Sequence, residues 1–311
     1  MNKKLLAMAV AGVMAAPMAA QADVNVYGKF KMGLSSVNDG TNSGLAVTTD
    51  ASRLGVKGSE DLGNGMEAIY QLETEVKPDA SANANFGRNT FVGFKAGWGT
   101  VRLGKFDTAY KTTTGKMDPF GDTAGDMTGS GFLADYDKRE DNMVSYTNKF
   151  GALKLGVDLF QTDAVAGESM GNAIGLQYNM GNFDIIAANT TRNNGDAATK
   201  IGLGMKFGGT KVNLINESQS DADNANVMAL NADIKLGGSS SVALGYYTNS
   251  VSSDTQMALG YFNKLAKSTK VGLIYSSVTG TSTGRMFTNV DGAVGPVNNP
   301  NAIQFFVGYD F

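Results

Sequence analysis

Val24-Asn25-Val26-Tyr27-Gly28-Lys29-Phe30-Lys31-Met32-Gly33-Leu34-Ser35 alternates apolar and polar side chains along its length. Val24, Val26, Phe30, Met32 and Leu34 share one parity, while Asn25, Tyr27, Lys29, Lys31, Gly33 and Ser35 share the other. Successive side chains of a β-strand point to opposite faces, so this segment has one greasy face and one wet face. The pattern returns from Arg53, with Leu54 and Val56 against Arg53, Lys57 and Ser59. It returns again from Gly65, with Met66, Ala68, Tyr70 and Leu72 against Glu67, Gln71, Glu73 and Glu75. Segments of about ten alternating residues separated by turns are the signature of a transmembrane β-barrel.

Carried along the chain, the pattern predicts sixteen antiparallel strands, beginning near residues 24, 51, 65, 88, 99, 139, 152, 171, 183, 198, 210, 226, 240, 254, 269 and 301. Tight connections at Leu62 to Asn64, Gly97 to Trp98, Gly151, Gly181 to Asn182, Gly208 to Gly209, Gly237 to Ser239 and Leu265 to Ser268 alternate with longer ones. The longest are Ser36 to Asp50, Asp107 to Lys138 and Val278 to Pro300. Short periplasmic turns on one rim and long extracellular loops on the other belong to a barrel, whereas a soluble sandwich would not place apolar residues on the outside of every strand. In the last strand Ile303, Phe305, Val307, Tyr309 and Phe311 form one apolar row. That strand is expected to close against the first, because an unpaired backbone group in hydrocarbon costs several kcal/mol. Trp98, Phe150, Phe183, Phe207, Tyr261 and Phe311, near strand ends, are expected to form an interfacial girdle.

Composition closes off other classes. The chain has 311 residues with 40 Gly and only 5 Pro, and scarce Pro suits a continuous ladder. Its mean hydropathy of -0.15, with no apolar run near the roughly 20 residues a membrane helix needs after residue 22, excludes a helical bundle. Cys and His are both absent from the sequence, which removes disulfides, thiol nucleophiles, zinc centres and His-dependent catalysis. No metal, cofactor or enzymatic activity is expected. Residues 1–22 read as a cleaved signal peptide: Lys3 and Lys4, an apolar stretch from Leu5 to Ala16, then Ala20-Gln21-Ala22 before Asp23. Residues 23–311 form the predicted barrel. Without the leader, 24 basic residues face 29 acidic ones, a charge of -5, and nucleic acid is not an expected partner.

The connection from Asp107 to Lys138 is too long for an idle loop. It holds Asp118-Pro119-Phe120-Gly121-Asp122, then Asp126, Asp135 and Asp137, with Gly115, Gly125, Gly129 and Gly131. Folded into the lumen, it would form a constriction; a solvated external loop is the alternative. Lys29, Arg53, Lys57 and Arg139 lie on lumen-facing parities. Such cations repel one another unless water or facing carboxylates offset them, and facing carboxylates would set up a transverse field across a narrow aqueous gap. Arg88 is ambiguous, since its parity also holds Thr90, Val92 and Phe94.

Tyr27-Gly28-Lys29, Ser52-Arg53-Leu54-Gly55-Val56-Lys57-Gly58, Arg88-Asn89-Thr90-Phe91-Val92-Gly93-Phe94-Lys95, Gly99-Thr100-Val101-Arg102-Leu103-Gly104 and the terminal Gly308-Tyr309-Asp310-Phe311 together resemble the general trimeric porins of Gram-negative bacteria. The resemblance runs through essentially the whole chain after the leader. It implies an outer-membrane homotrimer of sixteen-stranded barrels, set in lipid and lipopolysaccharide, each with its third loop folded inward. It implies an eyelet of Lys29, Arg53, Arg88 and Arg139 opposite loop carboxylates, for which Asp118, Asp122 and Asp126 are the candidates. The family often carries an acid just after the loop Pro, whereas here Phe120 follows Pro119 and the acids flank the pair, so the choice among carboxylates stays open. The resemblance further implies that the C-terminal strand, with Tyr309 and Phe311, is read by the barrel-assembly machinery. The expected function is passive diffusion of small hydrophilic solutes and ions; a substrate-preferring channel and an adhesive or structural barrel are the alternatives.

Overall fold

Lys200 is wholly buried and its neighbour Ile201 is 61% exposed. This inversion recurs along the chain, because the polar parity turns inward and the apolar parity outward. The computed structural model describes residues 23–78, 86–128, 136–161, 170–220, 225–282 and 297–311; the leader predicted over residues 1–22 lies outside them.

The strands are β1 (Asp23–Asn38), β2 (Ser43–Thr49), β3 (Arg53–Gly63), β4 (Met66–Glu75), β5 (Thr90–Ala96), β6 (Gly99–Asp107), β7 (Arg139–Phe150), β8 (Leu153–Phe160), β9 (Gly171–Met180) and β10 (Phe183–Thr191). They continue as β11 (Ala197–Phe207), β12 (Thr210–Ser220), β13 (Asn226–Gly237), β14 (Ser240–Asn249), β15 (Thr255–Lys264), β16 (Thr269–Thr279), the short pair β17 (Thr281–Ser282) and β18 (Val297–Asn298), and β19 (Asn301–Asp310). Among the described residues a single helix, α1 (Ala109–Thr114), follows β6.

Each long strand pairs antiparallel with its sequence neighbours, and β19 pairs with β1, so the sheet closes on itself. β2 and β3 both lie against β1, opposite its two halves, and are one stave broken at Asp50-Ala51-Ser52, where Ala51 takes a φ of 53°. The barrel therefore has the sixteen staves the periodicity predicts. Phe311 completes the seam: its N–H donates to the Gly28 carbonyl and its carbonyl accepts the Gly28 N–H, both at 3.0 Å. Closure leaves no sheet edge facing hydrocarbon.

One expectation is corrected. Ser36 to Asp50 is not a long loop, because β1 runs on to Asn38 and Gly44 to Thr48 pairs back with it. The turn is only Asp39 to Asn42, closed by an Asp39 carboxylate that accepts the amides of Thr41 (2.9 Å) and Asn42 (2.6 Å). The run of Ser, Asn, Asp and Gly reads as a loop by composition, yet it alternates well enough to extend the hairpin.

Short turns line the other rim, where Gly181 and Gly208 adopt φ of 60° and 57°, the left-handed region that two-residue hairpins need. Trp98, Phe150, Phe183, Phe207, Tyr261 and Phe311 are all exposed, and the first four flank these turns, as an interfacial girdle requires. Buried apolar side chains lie inside the barrel: Phe120 with Phe262 and Phe306, Met117 with Ile215 and Tyr247, and Tyr110 with Phe106 and Phe160. The core of this molecule is the seam between an inserted loop and the wall.

Candidate functional site

The loop after Asp107 turns into the lumen as soon as β6 ends. The Thr108 hydroxyl accepts the Lys111 N–H at 3.2 Å, capping α1, and the Asp158 carboxylate of β8 accepts the Ala109 N–H. α1 then lies on β8, β9 and β10. Two glycines permit this approach: a methyl group at Gly175 would sit 2.5 Å from the Ala109 carbonyl oxygen, and one at Gly156 would sit 2.8 Å from the Ala109 Cβ.

Beyond the helix the wall holds the loop by polar bonds. The Tyr110 hydroxyl donates to Glu217 at 2.6 Å. Lys200 donates to Asp137 at 2.5 Å and to the Thr114 hydroxyl at 2.7 Å, with Glu217 at 3.5 Å. Burial pushes the Asp137 carboxyl up to about 6, although the Lys200 charge pulls it down. The Asn213 and Asn231 amides donate to the Met117 carbonyl at 3.1 and 3.2 Å. Gln304 accepts the Ala124 N–H at 3.0 Å, and Gln256 donates to the Ala124 carbonyl at 3.4 Å. These bonds carry the loop around the inside from β8 to β19 and leave the wall of β1 and β3 to β7 facing an open gap.

The three candidate carboxylates occupy different surroundings. The Asp122 carboxylate crosses to Lys29 at 2.7 Å, and its backbone carbonyl accepts from Lys31. Burial opposes its ionisation, but Lys29, Lys31 and Arg53 outweigh that and hold the carboxyl below its ordinary value. Asp126 is buried and accepts the N–H of Asp122 at 2.7 Å, and the N–H and hydroxyl of Thr128 at 2.7 and 2.6 Å. Asp118 accepts the Phe120 N–H at 2.8 Å. Burial, reinforced by the charge of Asp126, pushes its carboxyl well above the usual range. Asp122 thus faces the wall, while Asp118 and Asp126 shape the bend that presents it.

On the wall, Lys29, Arg53 and Arg88 line a cavity of about 510 Å³ with Lys57, Glu73 and Asp107. Arg88, ambiguous by parity, points into the lumen and meets Glu73 at 2.6 Å; Arg53 approaches the same carboxylate at 3.9 Å, and the Tyr27 hydroxyl donates to it at 2.8 Å. Arg139 meets Asp107 at 3.1 Å and donates to the Asn89 side chain at 2.7 Å. Glu73 and Asp107 are therefore wall carboxylates that order the arginines, a role the sequence reading did not assign. The signal was available for Glu73, which lies on the wet parity of its strand. Tyr309 and Phe311 lie on the outer face, their ring centroids 6.3 Å apart, with Phe311 stacked on Phe30 at 6.0 Å.

The arrangement is a narrow aqueous gap with a carboxylate on one side and guanidinium and ammonium groups on the other. A family profile described as Gram-negative porin matches residues 6–283. The chain belongs to the Gram-negative porin family. As a member of it, this porin is an outer-membrane protein. It is 30% identical over 215 residues to the major outer membrane protein P.IB of Neisseria gonorrhoeae, covering 65% of this chain and 60% of that one. It is 28% identical over 249 residues to the P.IB protein of Neisseria lactamica, covering 76% and 72%. The porin thus spans about 60% of the length of the gonococcal relative. Among solved structures it is similar in fold to the anion-selective porin from Comamonas acidovorans, with a TM-score of 0.80 at 22% identity over 93% of this chain and 100% of that one. A second similar fold is the outer membrane protein OmpT of Vibrio cholerae, with a TM-score of 0.71 at 16% identity over 93% and 99%.

Proposed function

We propose that this porin is a water-filled channel through which small hydrophilic solutes and ions diffuse passively, narrowest between Asp122 and the wall of Lys29, Arg53, Arg88 and Arg139. The observation that carries this reading is the 2.7 Å contact between Lys29 and Asp122 beside an open, cation-lined cavity of about 510 Å³. An acidic loop meets this side of the wall at Asp122, through Lys29 and Lys31, and leaves the arginines beyond it to water. Low-dielectric walls concentrate the resulting field, so hydrated solutes cross a region of transverse potential with no bond made or broken. Asp118 and Asp126 support the bend in this reading.

The balance of charge favours anions. Lys29, Arg53, Lys57 and Arg88 stand in one lumenal cavity against Glu73, Asp107 and Asp310, and Lys95, Arg102 and Lys154 stand in the next; Asp122 adds one further carboxylate. Local field at the narrow point outweighs the average charge of the chain. In the same reading three copies associate as a homotrimer in lipid and lipopolysaccharide. Residues 1–22 are removed on export, and the assembly machinery reads Tyr309 and Phe311, whose rings are exposed on the last strand.

Planar-bilayer recording of the purified, folded protein in a KCl gradient tests the reading. Stable stepwise openings with a reversal potential on the anion side are expected. Protein that never opens stable channels would end the claim of transport, and a reversal potential on the cation side would end the anion preference alone.

A further inference from the structure

On the short-turn side of α1 the lumen wall carries a second recess of about 320 Å³, whose lining residues are different from those around Lys29 and Arg53. Lys95, Arg102 and Lys154 enter it from β5, β6 and β8, with Thr100, Thr147 and the Phe91 ring beside them. Two of these cations are compensated. Lys95 meets Glu67 at 3.0 Å, and Arg102 lies within the field of Asp158, whose carboxylate also holds the Ala109 N–H. Lys154 has no carboxylate within ion-pairing distance among the described residues, and the charged groups that act on it are Lys116 and Arg102.

Arg102 is fixed in place. Its guanidinium carbon lies 4.3 Å from the Phe106 ring centroid and 5.3 Å from that of Phe91, and one terminal nitrogen donates to the Ser145 hydroxyl at 3.3 Å. Its Nε is buried with no hydrogen-bond partner among the described residues. That nitrogen is enclosed by the wall, so the terminal nitrogens are the ones that can meet a ligand, and cations gathered on a rigid wall repel one another unless an anion joins them.

From the uncompensated Lys154 beside the fixed Arg102 guanidinium we infer that the recess binds a small, doubly charged oxyanion of the phosphate class, either free or as the phosphate of a small ester. Lys154 supplies the charge, the terminal groups of Arg102 supply directed N–H bonds, and the hydroxyls of Thr100 and Thr147 are at hand for the remaining oxygens. Charge-assisted bonds to several oxygens of one anion are the strong kind. The volume exceeds that of a bare phosphate, and Phe91 and Ile69 offer an apolar wall to the carbon part of an ester. The site rests on the channel reading only in that solutes reach it through the lumen.

The test combines equilibrium dialysis of inorganic phosphate against the folded protein in detergent with phosphate titration of single-channel current in KCl. Saturable binding is expected, together with a saturable fall in current at the same phosphate concentration. Lys154→Gln is expected to raise the half-saturating concentration roughly tenfold, the effect of one lost charge-assisted contact, while Lys154→Arg restores it. Arg102→Gln is expected to act in the same direction, and resistance to unfolding in SDS checks that each variant is a closed barrel. Phosphate binding that never saturates, or a half-saturation that neither Lys154→Gln nor Arg102→Gln moves, overturns the site. Saturable binding that depends on Lys154 in a protein that opens no channels leaves the site standing and removes the channel reading. Open channels with no saturable phosphate effect do the reverse.

Discussion

The two halves of the lumen wall have the same alternating sequence and opposite fates. On β11 to β19, Lys200, Glu217, Asn231, Gln256 and Gln304 are wholly buried and bonded to the loop or to one another. On β1 to β7, Lys29, Arg53 and Arg88 keep side-chain exposures of 22%, 28% and 16% and face water. A polar parity therefore does two jobs in one barrel. Where the loop covers it, its groups must be satisfied one by one, since a buried charge without a partner is expensive. Where the loop leaves the wall open, Glu73 and Asp107 order the arginines, and water and passing ions meet the surface that remains exposed.

The largest effect of a single substitution is expected on the covered side. Lys200→Met leaves Asp137 and Glu217 buried without their cation, and loss of one partner from such a pair costs about 3–5 kcal/mol. A lower temperature for unfolding of the barrel in SDS is the expected outcome, together with unsteady conductance as the loop loses its anchor. Arg53→Gln on the open side should change stability far less, because water replaces the lost contact with Glu73 at 3.9 Å. Equal losses in the two variants would contradict the distinction between the halves.

Gly175→Ala is next in size. The added methyl group would meet the Ala109 carbonyl oxygen at 2.5 Å, and because this neighbour is backbone, α1 must lift away from the wall. Overpacking of this kind costs about 1–3 kcal/mol. Unitary conductance should spread into several levels as the loop takes up more than one position. A single sharp level at the native value would mean that α1 does not govern the position of the loop.

Asp118 and Asp122, four residues apart, divide between burial and the gap within the loop itself. Asp122→Asn removes the charge that meets Lys29 at 2.7 Å beside the gap, and one charge 4–8 Å from a passing ion in water alters that ion's local energy by about 0.5–1 kcal/mol. Anion-over-cation permeability should rise by about five- to thirtyfold on that basis, because the anion gains what the cation loses. Asp118→Asn replaces a carboxyl that burial already drives toward its neutral form, and its reversal potential should stay at the native value. A shift of equal size in both variants would place Asp118 in the gap as well.

Most of the fold was legible in the sequence because hydrocarbon outside and water inside impose a period of two on every stave. Even Tyr309 and Phe311 declare their face by parity alone. The break at Asp50 to Ser52 was not legible, since Gly44 to Thr48 alternates too briefly to stand apart from the polar residues before it. The candidate site was legible in part. Lys29 and Arg53 follow from parity, but Arg88 lies ahead of its strand, outside the alternation, and only the bond to Glu73 fixes its direction. Among the loop acids, spacing cannot say which carboxylate turns toward the wall and which accepts a backbone N–H, because that depends on Phe120 docking against Phe262 with ring centroids 6.0 Å apart.

The smallest expected effect is a pH response that differs between the two sides. Asp122, depressed by Lys29, Lys31 and Arg53 against the cost of burial, contributes its contact above the ordinary carboxyl value and loses it only as pH falls through its own lower value. Reversal potential should accordingly stay flat from pH 7 down to about 4, near the unperturbed carboxyl range, and move toward anions only below that. Asp137, raised to about 6 by burial, behaves with the opposite sign. The folded barrel takes up a proton there before the unfolded chain does, so this group's stabilising contribution is full below about 3.9 and is lost as pH rises through about 6. Infrared titration should find a carboxyl that protonates near pH 6 and vanishes in Asp137→Asn, with no change in ion selectivity across the same interval. Selectivity that instead titrates near pH 6 would mean that the covered side, with its Lys200 latch, sets the field in the gap, and the division of labour between the two walls would fail.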